Sequence, residues 1–204
     1  MLEAAAILLA TAAYGVLHSL LAASGAKRWA LARFGPRAKR AYRLVYNAVA
    51  LVSFIPVLAL LVRYPGEVLY RISLPWSALA LAGQGAAMVL LAVGLLQTDT
   101  LSFLGIRQLV AGESSEPPSL TVSGLYRWVR HPLYTAGLVL IWLTPVMTTG
   151  VLALNLALTA YIAFGYRLEE RRLVAEFGPA YVDYQARVPA LVPRWNPLSK
   201  PKTG

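Results

Sequence analysis

Long runs without charge, separated by short charged clusters, organise this chain. Ala4 to Ala26 is uncharged over 23 residues, enough for one membrane span, which needs about 20. His18 and Ser19 lie in its inner half. Leu44 to Val62 is uncharged over 19 residues, with Pro56 inside it as a candidate kink. Arg63 to Arg71 is short and polar and holds Pro65-Gly66, a breaker pair. Ile72 to Thr98 is uncharged over 27 residues. Its Gly83, Gly85 and Gly94 would let neighbouring helices approach closely, and Gln84 at mid-span is expected to face other helices rather than lipid. Asp99 to Ser123 is the longest polar connection, with GESSEPPS at residues 112–119 a loop by composition.

Leu133 to Tyr166 is uncharged over 34 residues. As one helix it would run about 50 Å, against a hydrocarbon core of about 30 Å. Pro145 to Gly150 interrupts it, which predicts two helices joined by a tight turn, with both outer ends on one side of the membrane. The pattern as a whole predicts an all-α polytopic membrane protein with five transmembrane helices. The expected spans are 4–26, 44–62, 74–97, 132–147 and 150–167, the last two a C-terminal helical hairpin. Residues 168–204 form a cytoplasmic helical cap, and residues 1–204 a single integral membrane domain.

Composition agrees with the pattern. The chain is 58% hydrophobic and only 14% charged, where a soluble domain has about one quarter charged. There is no cysteine, so disulfides, thiolate metal sites and a cysteine nucleophile are excluded. The net charge of +10 would suit nucleic acid if it formed one patch. Instead the basic residues sit between apolar runs, as in a membrane protein facing the cytoplasm. Lys27 to Arg43 holds seven basic residues and no acidic one. With five spans, seventeen of the nineteen basic residues fall on one side and only Arg63 and Arg71 on the other. The expected orientation in the inner membrane therefore puts the N-terminus outside and the C-terminus in the cytoplasm. Met1-Leu2-Glu3 lacks the basic region of a secretory signal, so the first run is read as a retained span.

Candidate chemistry gathers at the two ends of the hairpin. Gly124 to Gly137 reads GLYRWVRHPLYTAG and holds His131, one of two histidines. Pro132 suits the first helical position and His131 the position before it. Tyr134 follows on the first turn, and Gly137 would leave space beside its ring. Tyr126 and Arg130 share a face if their segment is helical. An interfacial aromatic belt would use the same residue types. At the other end, Tyr166, Glu169, Glu170 and Leu173 follow the i, i+3, i+4, i+7 spacing, flanked by Arg167, Arg171 and Arg172. These arginines could pair the glutamates, as on a solvated helix end; a functional site would use the same acids. Gly178-Pro179 reads as a helix stop and restart, after which Tyr181, Tyr184 and Val188 form one stripe. No dinucleotide fingerprint, phosphate loop or serine-hydrolase elbow is present, and two histidines without cysteine argue against a metal.

R-H-P-x-Y, E-E-x-x-L, F-G-x-x-Y and R-V-P occur in that order, spaced around the hairpin. This C-terminal half resembles the isoprenylcysteine carboxyl methyltransferase superfamily of integral membrane methyltransferases. His18-Ser19, the basic loop from Lys27 to Arg43 and Phe103-Leu104-Gly105-Ile106-Arg107-Gln108 resemble its bacterial methanethiol S-methyltransferase-like branch and denitrification-associated relatives. The resemblance implies S-adenosyl-L-methionine as methyl donor, leaving as S-adenosyl-L-homocysteine, under a cap made by the C-terminal segment. It places Tyr126, Val129, Arg130, His131, Tyr134, Gly137, Tyr181, Tyr184 and Arg187 on the cofactor. As candidate catalytic residues it places Glu170 and Glu169 near the cofactor and the acceptor, and Arg167 near the acceptor. No metal is implied. The expected partners are the lipid bilayer and a small or lipophilic acceptor, first a thiol. A prenylcysteine carboxylate and a phospholipid amine are alternatives. A non-catalytic membrane sensor or assembly factor on the same fold is a reading of another class. A thiol needs help to lose its proton, for which His18, His131 or a glutamate qualifies.

Overall fold

A computed structural model describes residues 2–98, 100–111 and 119–194. The loop expected at 112–119 lies outside the described residues except for Ser119, as does the end of the tail from Trp195. The regular structure of the described chain is helical apart from two short strands. Its residues fall into two compact units, Met1–Arg71 with Asp99–Pro117 and Val146–Tyr161, and Ile72–Thr98 with Pro118–Pro145 and Ile162–Gly204.

The first unit opens with α1 (Leu2–Ala22), α2 (Ser24–Phe34) and α3 (Pro36–Arg63). On α1, Ile7, Thr11 and Gly15 are buried, a stripe four residues apart that faces the unit's interior. Ile7 packs with Val57 of α3 and with Ala153 and Leu154. The other faces of α3 present Leu51, Val52, Ile55 and Val62 outward, as expected of a helix in lipid. The basic stretch from Lys27 to Arg43 is helical rather than a connecting loop. It breaks only at Gly35, whose φ of 65° suits glycine, before Pro36 restarts the helix. Consequently α3 has 28 residues and begins well before the apolar run, and it continues through Pro56.

Short helices α5 (Thr100–Leu104) and α6 (Ile106–Ala111) pack on α3. Arg43 donates to the Ser102 carbonyl at 2.6 Å and Asn47 to that of Leu104 at 3.1 Å. Strand β1 (Val68–Arg71) pairs antiparallel with β2 (Val146–Thr148). Both segments were expected as turns. A turn between two apolar helices leaves backbone groups without partners, and the strand pair satisfies them. His18 sits among Tyr14, Tyr46 and Tyr161. Its Nε2 bonds the Tyr46 hydroxyl, while Nδ1 is buried without a hydrogen-bond partner among the described residues.

The second unit contains α4 (Trp76–Gln97), a 3-10 turn at Gly124–Arg127, α7 (Pro132–Trp142) and α9 (Pro179–Arg187). Helix α8 (Thr149–Phe177) gives its residues from Ile162 onward to this unit and the earlier ones to the first. Helices α4 and α7 pack closely. A side chain at Gly94 would meet Leu133 at 2.8 Å, so the small residues of α4 allow that approach. Gln84 donates to the Leu140 carbonyl at 2.8 Å, which meets the expectation that it faces a neighbouring helix. Helix α8 stops at Gly178, with φ of 56°, and α9 starts at Pro179, as the Gly-Pro pair predicts.

Among the described residues, four helices, α1, α3, α4 and α8, are long and apolar enough to cross a membrane. Helix α7 is apolar but has 11 residues, about 16 Å of helix, short of the hydrocarbon thickness.

Candidate functional site

The site lies within the second unit and grows from the start of α7. His131 is the residue before the helix, with Pro132 in the first turn. Its backbone N–H donates to the Ala190 carbonyl at 3.0 Å, and that of Arg130 to the Pro189 carbonyl at 2.9 Å. Thr135, one turn on, donates its hydroxyl to the Leu191 carbonyl at 2.6 Å. Residues 189–191, which follow α9, are thereby stitched to residues 130–135. Val129 and His131 are buried, at 4% and 6% exposure, so this stretch is not merely a surface belt.

Arg130 is the centre of the polar network. Its Nε donates to Glu170 Oε1 at 2.6 Å, and Nη2 lies 2.6 Å from the same oxygen. Its Nη1 donates to the carbonyls of Gln185, at 3.0 Å, and Val188. The Glu170 carboxylate also faces His131 Nε2 at 3.2 Å through Oε1, and its Oε2 accepts from Gln185 Nε2 at 3.1 Å. A carboxylate only accepts, so the hydrogen on the His131 side is carried by Nε2. In the neutral ring this leaves the lone pair on Nδ1, which is 3.8 Å from Glu169 Oε2.

Glu169 stands apart from this network. Its Oε2 accepts from the Tyr134 hydroxyl at 2.9 Å. Its side chain is 46% exposed, against 13% for Glu170. The rings of His131 and Tyr134 stack at 5.5 Å and 24°, and Tyr166 approaches His131 at 5.6 Å. A side chain added at Gly137 would meet nothing within 4 Å, so space is open one turn beyond the stack.

The cap is held from beneath. Tyr181, Tyr184 and Val188 are buried together against Leu120, Val122, Leu173, Val174 and Phe177. The Tyr184 hydroxyl donates to the Tyr126 carbonyl at 2.5 Å. Burial pushes the Tyr181 hydroxyl up to about 12, with the Glu170 charge adding to it and Arg130 opposing. Burial likewise raises Tyr184, and it raises Tyr126 with help from Glu169. All three phenols are therefore neutral donors at physiological pH.

Of the residues singled out in the sequence, Arg130, His131, Tyr134, Glu169 and Glu170 form one connected cluster, with Gly137 beside it. Tyr126 takes part through its backbone, in a 3-10 turn rather than on a helical face shared with Arg130. Val129 is buried next to Arg130 in the chain, and Tyr181 and Tyr184 are buried in the cap. Among the described residues, Glu170 pairs with Arg130, and not with Arg167, Arg171 or Arg172. Arg167 donates to the Ala163 carbonyl and lies over the Tyr166 ring. Arg187 pairs with Asp183 on its own helix and is exposed. Gln185 and Thr135 join the cluster without having been singled out. Gln185 falls four residues after Tyr181 and three before Val188, so a polar residue inside the buried stripe was the available signal. Thr135 was the polar residue on the first turn of an apolar helix.

The donor set suits a ligand with a flat heteroaromatic ring and a positive charge. Stacked rings, neutral phenols and one open carboxylate are present together, and among the described residues no group of three or more metal-ligating side chains is found.

Comparisons with known proteins bear on the same segments. The profile of the family described as NnrU protein matches residues 6–195. Methanethiol S-methyltransferase 2 of Bradyrhizobium diazoefficiens is 34% identical over 201 residues, covering 92% of this chain and 72% of that protein. The Methanethiol S-methyltransferase of Mycobacterium tuberculosis is 32% identical over 189 residues, covering 88% and 74%. Protein-S-isoprenylcysteine O-methyltransferase of Mus musculus is 36% identical over 93 residues, covering 42% of this chain and 31% of that protein. No solved structure matches the chain.

Proposed function

Because the chain belongs to the NnrU protein family, we propose that it is a membrane methyltransferase that transfers a methyl group from S-adenosyl-L-methionine to a thiol. It is an integral membrane enzyme. The observation that carries the donor assignment is the placing of the His131–Tyr134 stack beside Glu169. The thiol is carried over from the relatives named for methanethiol, which match this chain almost throughout.

In this reading α7 counts as a crossing, which gives five spans with α7 and α8 as a hairpin. Seventeen of the nineteen basic residues then lie on the cytoplasmic side of the inner membrane, with the site and cap. A polar donor arrives from the cytoplasm, and a small or lipophilic acceptor arrives through the bilayer.

The donor supplies an activated methyl group on a sulfonium. The protein's part is to hold the reactants in line and keep water out. His131, Tyr134 and Tyr166 provide ring faces and hydroxyls for the nucleoside, with Gly137 leaving it room. Val129, Tyr181 and Tyr184 pack the cap over the site, and Arg130 ties it down. The thiol must lose its proton as its sulfur forms the new carbon–sulfur bond and the donor's carbon–sulfur bond breaks. His131 Nδ1 presents the lone pair that takes this proton, because the contact to Glu170 holds the ring hydrogen on Nε2. Arg167 and Arg187, exposed at the rim, are the cations available to the acceptor and to the donor's carboxylate.

The test is a methyl-transfer screen with labelled donor and purified protein across small thiols, prenylcysteines and phospholipid amines. Transfer to thiols is expected. Transfer only to a carboxylate or an amine would replace the acceptor assignment, and failure to bind S-adenosyl-L-homocysteine would point to a non-catalytic sensor or assembly factor.

A further inference from the structure

The two adjacent glutamates have different surroundings, and we infer that they do different work: Glu170, with Arg130 and Gln185, is a latch that positions the cap, whereas Glu169 receives the amino group of the methyl donor. This rests on the methyltransferase reading above.

Glu170 has both oxygens committed. Oε1 meets Arg130 and His131, and Oε2 meets Gln185. Arg130 and Glu170 are nearly buried, at 10% and 13% side-chain exposure. Turning Glu170 to a ligand would strand the Arg130 guanidinium in a poorly solvated place. Arg130 in turn holds the carbonyls of Gln185 and Val188. Gln185 thus touches the latch twice, by its side chain on Glu170 and its backbone on Arg130. The latch ties together the segment just before α7, the last turns of α8, and α9.

Glu169 has the opposite character. Its carboxylate accepts from the Tyr134 hydroxyl, and the Arg130 guanidinium is engaged by Glu170, so no cation in the latch cancels its charge. It is nearly half exposed, beside the stacked rings. A cation is the complementary ligand, and the donor has two, an ammonium and a sulfonium. The sulfonium charge disappears as the methyl leaves, so a carboxylate paired with it would stabilise the ground state over the transition state. The ammonium charge persists throughout, and pairing there anchors the donor without slowing transfer.

The assignment makes Gln185 a positioning residue and separates the glutamates by measurement. Binding of S-adenosyl-L-homocysteine and of 5′-methylthioadenosine, which lacks the amino-acid part, is measured by calorimetry on the full chain in detergent micelles, alongside Tm. Glu169→Gln should weaken S-adenosyl-L-homocysteine roughly tenfold, leave 5′-methylthioadenosine within about twofold, and leave Tm unchanged. Glu170→Gln and Gln185→Leu should each lower Tm and weaken any nucleoside bound by a similar factor. In a Glu170→Gln background, Gln185→Leu should cost little more, because the shared contact is already lost. The inference is overturned if Glu170→Gln gives the amino-group-selective loss, or if Glu169→Gln lowers Tm or weakens both ligands alike. Should 5′-methylthioadenosine not bind measurably, the split between affinity and Tm still decides. Failure of the wild type to bind S-adenosyl-L-homocysteine removes the methyltransferase reading and this inference with it, whereas wild-type binding without the split removes this inference alone.

Discussion

Replacing Arg130 with alanine is the strongest single perturbation of the site that the structure offers. The guanidinium makes two contacts to Glu170 Oε1 at 2.6 Å and donates to the carbonyls of Gln185 and Val188. Without it a carboxylate that is 13% exposed keeps only His131 and Gln185, and two carbonyls lose a charged donor. Breaking a buried ion pair from one side costs about 3–5 kcal/mol. The residual exposure argues for the lower end, about 3 kcal/mol. On the scaling for domains of 150–250 residues this is about 6–12 °C of Tm, read by a thermal melt in mild detergent. Arg130→Lys should recover only part, because an ammonium cannot reproduce the fork that reaches Glu170 and two carbonyls. Arg130→Leu combined with Glu170→Leu should cost less than the two single changes added together, since neither charge is then stranded. An Arg130→Ala protein that melts within about 2 °C of wild type, or a strictly additive double variant, would refute the view that this pair holds the cap.

Three other outcomes follow from single contacts. Tyr184→Phe removes the donor to the Tyr126 carbonyl at 2.5 Å and should cost about 1–2 kcal/mol; an unchanged Tm would mean that water replaces it freely. Gly105 has φ of 89°, and a side chain there would sit 2.5 Å from the Leu44 nitrogen and 2.9 Å from the Arg43 carbonyl carbon. Gly105→Ala should therefore destabilise by about 2 kcal/mol or more, and a wild-type melt would contradict that packing. Tyr181 rises from 10.0 to about 12 on folding, so above pH 10 the unfolded chain gives up this proton first. The stabilisation is complete below pH 10 and is lost as pH rises through 12. A Tm measured from pH 9 to 12 should fall, and Tyr181→Phe should flatten that fall.

The long helices were legible because a charge-free run of about 20 residues has few other fates, and α1, α3, α4 and α8 overlap four of the expected stretches, though α1 already ends at Ala22. The strand pair was not legible. Strand β1 has four residues, all exposed, so no alternation marks it. What selects it is the need of the α7–α8 connection for backbone partners, a demand set by another part of the chain. The basic stretch shows a similar limit. Its charges mark a membrane face but do not decide between loop and helix, and its Gly35-Pro36 pair divides two helices. At the site, Gly178-Pro179 and the Tyr181, Tyr184, Val188 stripe were readable from spacing alone. The partner of Glu170 was not. The nearby arginines suggested local pairing, yet the cation comes from Arg130, forty positions away, because the cap carbonyls orient that guanidinium. Likewise, adjacent glutamates look equivalent in a sequence, and only burial distinguishes them.

Methyl transfer to a thiol is the activity on which the site assignments rest. The most direct measurement supplies the purified chain, in lipid nanodiscs, with S-adenosyl-L-methionine bearing a deuterated methyl group and with methanethiol, and follows the volatile product by mass spectrometry. Dimethyl sulfide with one labelled methyl is expected, formed in step with S-adenosyl-L-homocysteine and lost in Glu169→Gln at low donor concentration. Absence of labelled sulfide from a folded chain that binds the donor would contradict it.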